Sequence, residues 1–187
     1  MFVIVNKKRF FGVCVLFGAL LAAILIFALK TPAQKQMYPQ KYKAIVQKAS
    51  ATYGVDELLI YSVIKAESKF NEKAVSSSEA KGLMQLMDGT ASWVSGQSGI
   101  NLENIYDPET NIMLGTWYID YLMEKCDGDI VTALACYNAG ASNVEKWCDE
   151  SGREKISVED IRFAETKDYV EKILKYYDKY KELYGGK

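Results

Sequence analysis

Residues 57–68 read Glu57-Leu58-Leu59-Ile60-Tyr61-Ser62-Val63-Ile64-Lys65-Ala66-Glu67-Ser68. Ile60, Val63 and Ile64 precede Glu67 by seven, four and three residues, which places all four on one face of an α-helix. Asp56 is suited to cap that helix. Lys65 and Lys69 fall off the apolar stripe, so Glu67 shares its face with hydrocarbon rather than with a cation. A carboxylate placed there is costly unless it is protonated or paired. It also sits in the last turn, where the helix dipole opposes negative charge. Burial and dipole both push its pKa upward. Two readings follow: a general acid that keeps its proton near neutrality, as in glycosidases, or a boundary Glu held in a salt bridge.

The helical period continues on both sides of this stretch. Tyr42, Ile45, Val46, Ala49 and Tyr53 recur at helical spacing before a stop at Gly54. Ser76-Ser77-Ser78 reads as a loop, and Gly82-Leu83-Met84-Gln85 reads as the entry to a third helix carrying Trp93. Asp107-Pro108-Glu109 opens a fourth, with Ile112, Gly115, Tyr118, Ile119 and Leu122 on one face. Asp129 caps a fifth, which Gly140 stops, and a last helix runs from Glu165 to Tyr184. Alternating strands and internal repeats are absent from the pattern. The fold class is all-α.

Composition narrows the chemistry. The chain has 187 residues, 49% apolar and 25% charged, which excludes wholesale disorder and leaves room for one domain plus a tail. It contains no histidine, which excludes Ser-His-Asp and Cys-His catalysis and His-ligated zinc. The net charge of −1 offers no basic field for nucleic acid. That near-neutral sum conceals an asymmetry: residues 1–30 carry +4 and the remainder −5.

Phe10 to Leu29 is a run of 20 residues without a charge. As a helix it spans about 30 Å, the thickness of a bilayer core. Lys7, Lys8 and Arg9 precede it, and the positive-inside rule puts them in the cytoplasm. A cleaved signal peptide is the alternative, with secretion as its outcome. The run is longer than a signal peptide's apolar region, and Thr31-Pro32-Ala33 is a poor cleavage site. The expected plan is a cytoplasmic tail over 1–9, a single-pass anchor over 10–29, a polar spacer over 30–40 and an extracytoplasmic globular domain over 41–187.

Three further stretches carry candidate chemistry. Gly82-Leu83-Met84-Gln85 joins a glycine that permits close approach to an amide that donates and accepts. Ala135-Cys136-Tyr137-Asn138-Ala139-Gly140 places a phenol beside an amide at a helix end. Glu165-Thr166-Lys167-Asp168-Tyr169-Val170 offers the Tyr169 hydroxyl, although a tyrosine stripe on a helix is more often packing. With Glu67-Ser68, these stretches occur in the order and spacing of the soluble-lytic-transglycosylase catalytic domain. Asp107-Pro108-Glu109-Thr110-Asn111 and Leu114-Gly115-Thr116-Trp117-Tyr118 also resemble that family's fourth-helix signature. The resemblance covers about residues 40–184.

The resemblance implies a goose-type lysozyme-like fold and cleavage of the β-1,4 bond between N-acetylmuramic acid and N-acetylglucosamine in peptidoglycan. Glu67 then corresponds to the sole general acid/base. It protonates the glycosidic oxygen, then accepts a proton from the muramyl C6 hydroxyl as a 1,6-anhydro ring closes. Ser68, Gly82, Met84, Gln85, Tyr137 and Asn138 correspond to substrate-binding positions, and Tyr169 to the residue that orients the catalytic Glu. The implied partners are peptidoglycan glycan strands and, through the anchor, the membrane. No metal or organic cofactor is implied.

Glu72, Glu79 and Asp88 depart from the family pattern, and any of them in the groove would activate water and make the enzyme a hydrolase. A hydrolytic muramidase on the same fold and a non-catalytic glycan-binding module are therefore the competing readings. Cys126, Cys136 and Cys148 leave an odd count in the exported part. Cys126 and Cys148 flank the fifth helix, so a bridge between them is one expectation and reduced thiols the other. Their spacing fits no common zinc pattern.

Overall fold

The computed structural model describes residues 11, 15–18, 20 and 32–186. Most of the expected anchor over 10–29 lies outside the described residues, and among those described no helix is long and apolar enough to cross a membrane. Residues 32–37, expected as spacer, are helical. Gln40–Lys187 forms a compact unit separate from the residues up to Pro39.

Seven α-helices build that unit: α1 (Lys43–Tyr53), α2 (Glu57–Glu67), α3 (Asp88–Ser98), α4 (Pro108–Lys125), α5 (Ile130–Ala139), α6 (Ala141–Ser151) and α7 (Ala164–Tyr184). A 3-10 turn, Val158–Asp160, precedes α7. The capping side chains act where the sequence places them. The Asp56 carboxylate accepts the Leu58 N–H at 2.7 Å, Asp107 accepts that of Thr110 at 2.8 Å, and Asp129 that of Thr132 at 2.8 Å. Gly54 ends α1 at φ 73°, in the left-handed region.

The pairing that positions the site is α2 against α7. Ile60, Tyr61, Val63 and Ile64 of α2 are fully buried, as are Val170, Ile173 and Tyr180 of α7. The Tyr61 and Tyr180 rings stack at 5.7 Å. Each buried aliphatic side chain contributes about 1.5–3 kcal/mol, so this seam fixes the two helices on which opposite halves of the site are carried. Elsewhere α1 and α5 pack against α4, and α6 and α7 against α5.

Two elements differ from expectation. Gly82-Leu83-Met84-Gln85 does not enter a helix. Lys81 and Leu86 pair as an antiparallel bridge, with N–H···O bonds of 2.9 and 3.0 Å, and the four residues form the loop between them. Gly82 at φ 79° and Gln85 at φ 50° both take left-handed conformations that a helix cannot contain. The pattern also did not announce α6. Gly140, at φ 84° and ψ 143°, ends α5 but only redirects the chain, and Val144 and Trp147 bury the apolar side of the next helix.

Asn111, at the start of α4, holds the 82–85 loop in place. Fully buried, it accepts the Met84 N–H at 2.7 Å and donates to the carbonyls of Lys81 at 3.1 Å and Ile105 at 2.9 Å. A Cβ at position 82 would strike the Asn111 amide, which is why glycine stands there. Asn111→Ala takes the hydrogen-bond partner from the buried Met84 N–H and from the Ile105 carbonyl and leaves a void beneath the loop. The expected loss is about 3 kcal/mol in urea denaturation, and a loss below about 0.5 kcal/mol, the size of an ordinary surface change, would show that the loop stands without it.

Candidate active site

Glu67 ends α2, and Tyr169 lies in the second turn of α7. The packing of these helices brings together residues 102 positions apart: the Tyr169 hydroxyl donates to Glu67 Oε1 at 2.7 Å. Tyr169 is almost wholly buried, so its hydroxyl has one direction to point. With Oε1 engaged as an acceptor, Oε2 is the oxygen left to carry a proton.

Glu67 keeps partial solvent contact, yet the protein crowds its carboxyl. Desolvation raises its pKa from 4.5 to about 7. The Tyr169 hydrogen bond and the charge of Lys172 act in the opposite direction and do not cancel it. Lys172 is exposed on α7, one turn beyond Tyr169. A carboxyl poised near 7 can both give and take a proton at neutral pH.

Burial raises the pKa of the Tyr137 phenol, near the end of α5, and the nearby charge of Glu67 raises it further. Its hydroxyl donates to the Met84 carbonyl at 2.8 Å, fastening α5 to the 82–85 loop. Its ring packs against Tyr118 at 5.3 Å. Asn138 is exposed, and its side-chain oxygen accepts from the Thr166 hydroxyl at 2.7 Å. That bond commits the amide oxygen and leaves the NH₂ group as the free donor. Buried Thr166 precedes Tyr169 by three residues, so one face of α7 orients both Asn138 and Glu67.

The remaining expected substrate contacts have structural duties here. Ser68 is buried, donates to the Ile64 carbonyl at 3.1 Å and accepts the Phe70 N–H at 3.2 Å, which closes the end of α2. Gln85 is half-buried and donates to the carbonyls of Gly82 at 2.9 Å and Ala74 at 3.1 Å, leaving its amide oxygen open. Gly82 and Met84 are packed into the protein's own interior. Gly82 packs against Asn111, while the Met84 side chain is fully buried against Gly115 and has no surface to offer a sugar. Asn111 and Thr166 were not singled out individually from sequence. Both are buried polar residues within recognised stretches, and that is the signal that could have found them.

The three additional acids are engaged or exposed elsewhere. Asp88 pairs with Lys81 at 2.6 Å, Glu72 accepts from the Tyr42 hydroxyl at 3.2 Å, and Glu79 is exposed. None of them contributes to the shift of Glu67. Of the two expectations for the cysteines, the Cys126–Cys148 bridge is absent and the reduced thiols are present: all three described cysteines are free. Cys126 and Cys136 line one cavity, and the Cys148 thiol turns to the Glu154 carbonyl at 3.5 Å.

Comparison with known proteins places the chain in a family. The family model "Transglycosylase SLT domain" matches residues 44–159. The soluble lytic murein transglycosylase of Escherichia coli strain K12 is 31% identical over 82% of this chain and 25% of that protein. The membrane-bound lytic murein transglycosylase C of Yersinia pestis strain Pestoides F is 40% identical over 56% of this chain and 32% of that protein. The crystal structure of the 70 kDa soluble lytic transglycosylase from Escherichia coli superposes with a TM-score of 0.76 at 30% identity, over 81% of this chain and 26% of that one. An inactive mutant of lytic transglycosylase Slt from Pseudomonas aeruginosa superposes with a TM-score of 0.71 at 28% identity, over 86% and 29%. The chain thus spans only 25% to 32% of the length of these curated relatives. A match over most of the globular unit, in sequence and in fold, makes this chain a member of the transglycosylase SLT domain family.

Proposed function

We propose that this chain is a peptidoglycan lytic transglycosylase, cleaving the β-1,4 bond between N-acetylmuramic acid and N-acetylglucosamine with formation of a 1,6-anhydromuramyl product. The observation that carries the reading is a single carboxyl, Glu67, poised near neutrality by desolvation and held by Tyr169. Two-carboxylate glycosidases need a second acid as nucleophile or as base for water. Glu72, Glu79 and Asp88 do not act on Glu67, which favours the single-acid reading over a hydrolytic muramidase.

In the proposed reaction, Glu67 donates the proton on Oε2 to the glycosidic oxygen as the bond breaks. The positive charge that develops at the muramyl C1 is stabilised by the sugar's own acetamido group. The carboxylate then removes the proton of the C6 hydroxyl, whose oxygen attacks C1. Ring closure within one sugar replaces attack by water, with the advantage of an intramolecular reaction. Asn138 presents its NH₂ to the sugar's acetamido carbonyl, Tyr137 supplies a ring against the sugar, and Tyr169 holds Glu67 in line. Ser68 and Gln85 retain acceptor capacity for sugar hydroxyls.

The proposed setting is the outer face of the cytoplasmic membrane. Residues 10–29 serve as the anchor, 1–9 remain in the cytoplasm, and 41–187 reach the wall. Support comes from the uncharged run behind Lys7, Lys8 and Arg9 and from the membrane-bound relative in Yersinia pestis.

Glu67→Gln is expected to bind glycan strands and cleave none, while the parent releases anhydromuramyl products in mass spectrometry of digested cell walls. Reducing-end products from the parent would establish the hydrolase instead. A second expectation concerns pH. The first step needs the protonated acid, so kcat falls as pH rises through about 7. Tyr169 stabilises the carboxylate, and Tyr169→Phe removes that influence. Its alkaline limb is expected at higher pH, with kcat lowered about 10-fold by lost positioning. A limb moved to lower pH would contradict the role given to Tyr169.

A further inference from the structure

A second chemical feature lies along α5, in a cavity that Thr132 and Cys136 line and Glu67 does not. Cys126 caps α4, and Asp127 and Gly128 take φ of 46° and 75°, turning the chain within three residues into α5. The reversal brings Cys126 back alongside Cys136, and the two line the same cavity wall. Cys148, on α6, completes a group of three thiols on the wall of one cavity of about 400 Å³. Tyr121, Leu122 and Val144 line the same cavity, while none of the catalytic candidates does. Cys126 and Cys136 are buried and Cys148 is half-buried. The described residues contain no group of His, Cys, Asp and Glu arranged to hold a metal, which leaves thiol chemistry as what the cluster offers.

We propose that Cys126, Cys136 and Cys148 form a thiol–disulfide exchange site that takes a small disulfide compound as oxidant and ends in a Cys126–Cys136 bond. The exchange begins at Cys148, the most accessible of the three. Its thiolate attacks one sulfur of the incoming disulfide, and the other half leaves as a thiol with the proton that Cys148 gave up. Cys136 then attacks the Cys148 sulfur and expels the second half as a thiol. Cys126 attacks Cys136, and Cys148 departs with its own thiol restored. Two protein thiols have lost two electrons and two protons, and the disulfide compound has gained them as two thiols.

The product ties the end of α4 to the middle of α5, one residue before Tyr137 and two before Asn138. It is thus a modification site that reaches the glycan-binding residues through the helix that carries them. Burial pushes the Cys136 thiol up to about 12. Thiolate is scarce, and the exchange runs on the order of hours.

The experiment uses the full chain with Cys14→Ser as parent. The folded protein is incubated with oxidised glutathione, then unfolded in N-ethylmaleimide and cleaved with trypsin. The expected result is a 126–146 peptide that is unalkylated and lighter by two hydrogens, with the 147–153 peptide alkylated at Cys148. Cys148→Ser is expected to reach the same product about 10-fold more slowly, because the attack must then begin at a buried thiol. Cys136→Ser is expected to stop at a glutathione adduct on Cys148. The oxidised parent is expected to melt about 5 °C higher. A Cys126–Cys148 bond, adducts without an internal bond, or three alkylated thiols after prolonged incubation would each overturn the proposal.

Discussion

The hydrogen bond from Tyr169 to Glu67 is the constraint on which the rest of the site depends. It joins the end of α2 to the second turn of α7, and it can form only because Ile60, Ile64, Ile173 and Tyr180 lock those helices together. The same crowding withdraws water from the carboxyl. Desolvation raises the pKa to about 7 although a hydroxyl donor and a nearby lysine both favour the charged form. The balance carries a stability cost with a definite sign. In the unfolded chain Glu67 ionises near its ordinary value, so between there and about 7 the folded state binds more protons. Stability therefore declines as pH rises through that window, on the order of 2 kcal/mol once partial solvent contact is allowed for. A proton held near neutrality is retained at the expense of the folded state, which the α2–α7 seam offsets.

A second layer supports the first. Asn111 grips the 82–85 loop from beneath, the loop offers the Met84 carbonyl to Tyr137, and Thr166 fixes the Asn138 amide. Each bond joins segments far apart in the chain: 27 residues for Asn111, 53 for Tyr137 and 28 for Thr166. Polar bonds between distant segments specify geometry where apolar packing supplies only proximity. Met84 illustrates the division within one residue. Its side chain fills the space against Gly115, while its backbone N–H and carbonyl are held by Asn111 and Tyr137.

Much of this was legible in the sequence where the physics is local. Asp56, Asp107 and Asp129 mark helix starts because a capping carboxylate acts on an N–H two or three residues away. Glu67 could be read as perturbed because its apolar neighbours share its own helix. The 82–85 loop was not legible as a hairpin, because its left-handed residues are held by Asn111 from 27 positions away. Helix α6 was hidden behind Gly140, whose backbone redirects the chain without ending its helical course. That the Met84 side chain packs into the core against Gly115 was not legible either, because a four-residue motif does not reveal which of its side chains turn inward. The state of the thiols stayed open in the sequence, because flanking a helix says nothing of the tight turn at Asp127 and Gly128 that sets Cys126 on the same cavity wall as Cys136.

The central claim is that Glu67 holds its proton near neutral pH, and a carbon-13 NMR titration of its side-chain carboxyl in the folded protein tests that claim most directly. A midpoint of about 7 is predicted. A midpoint near 4.5, the value of an unperturbed Glu, would show that the carboxyl is fully solvated and would contradict the account.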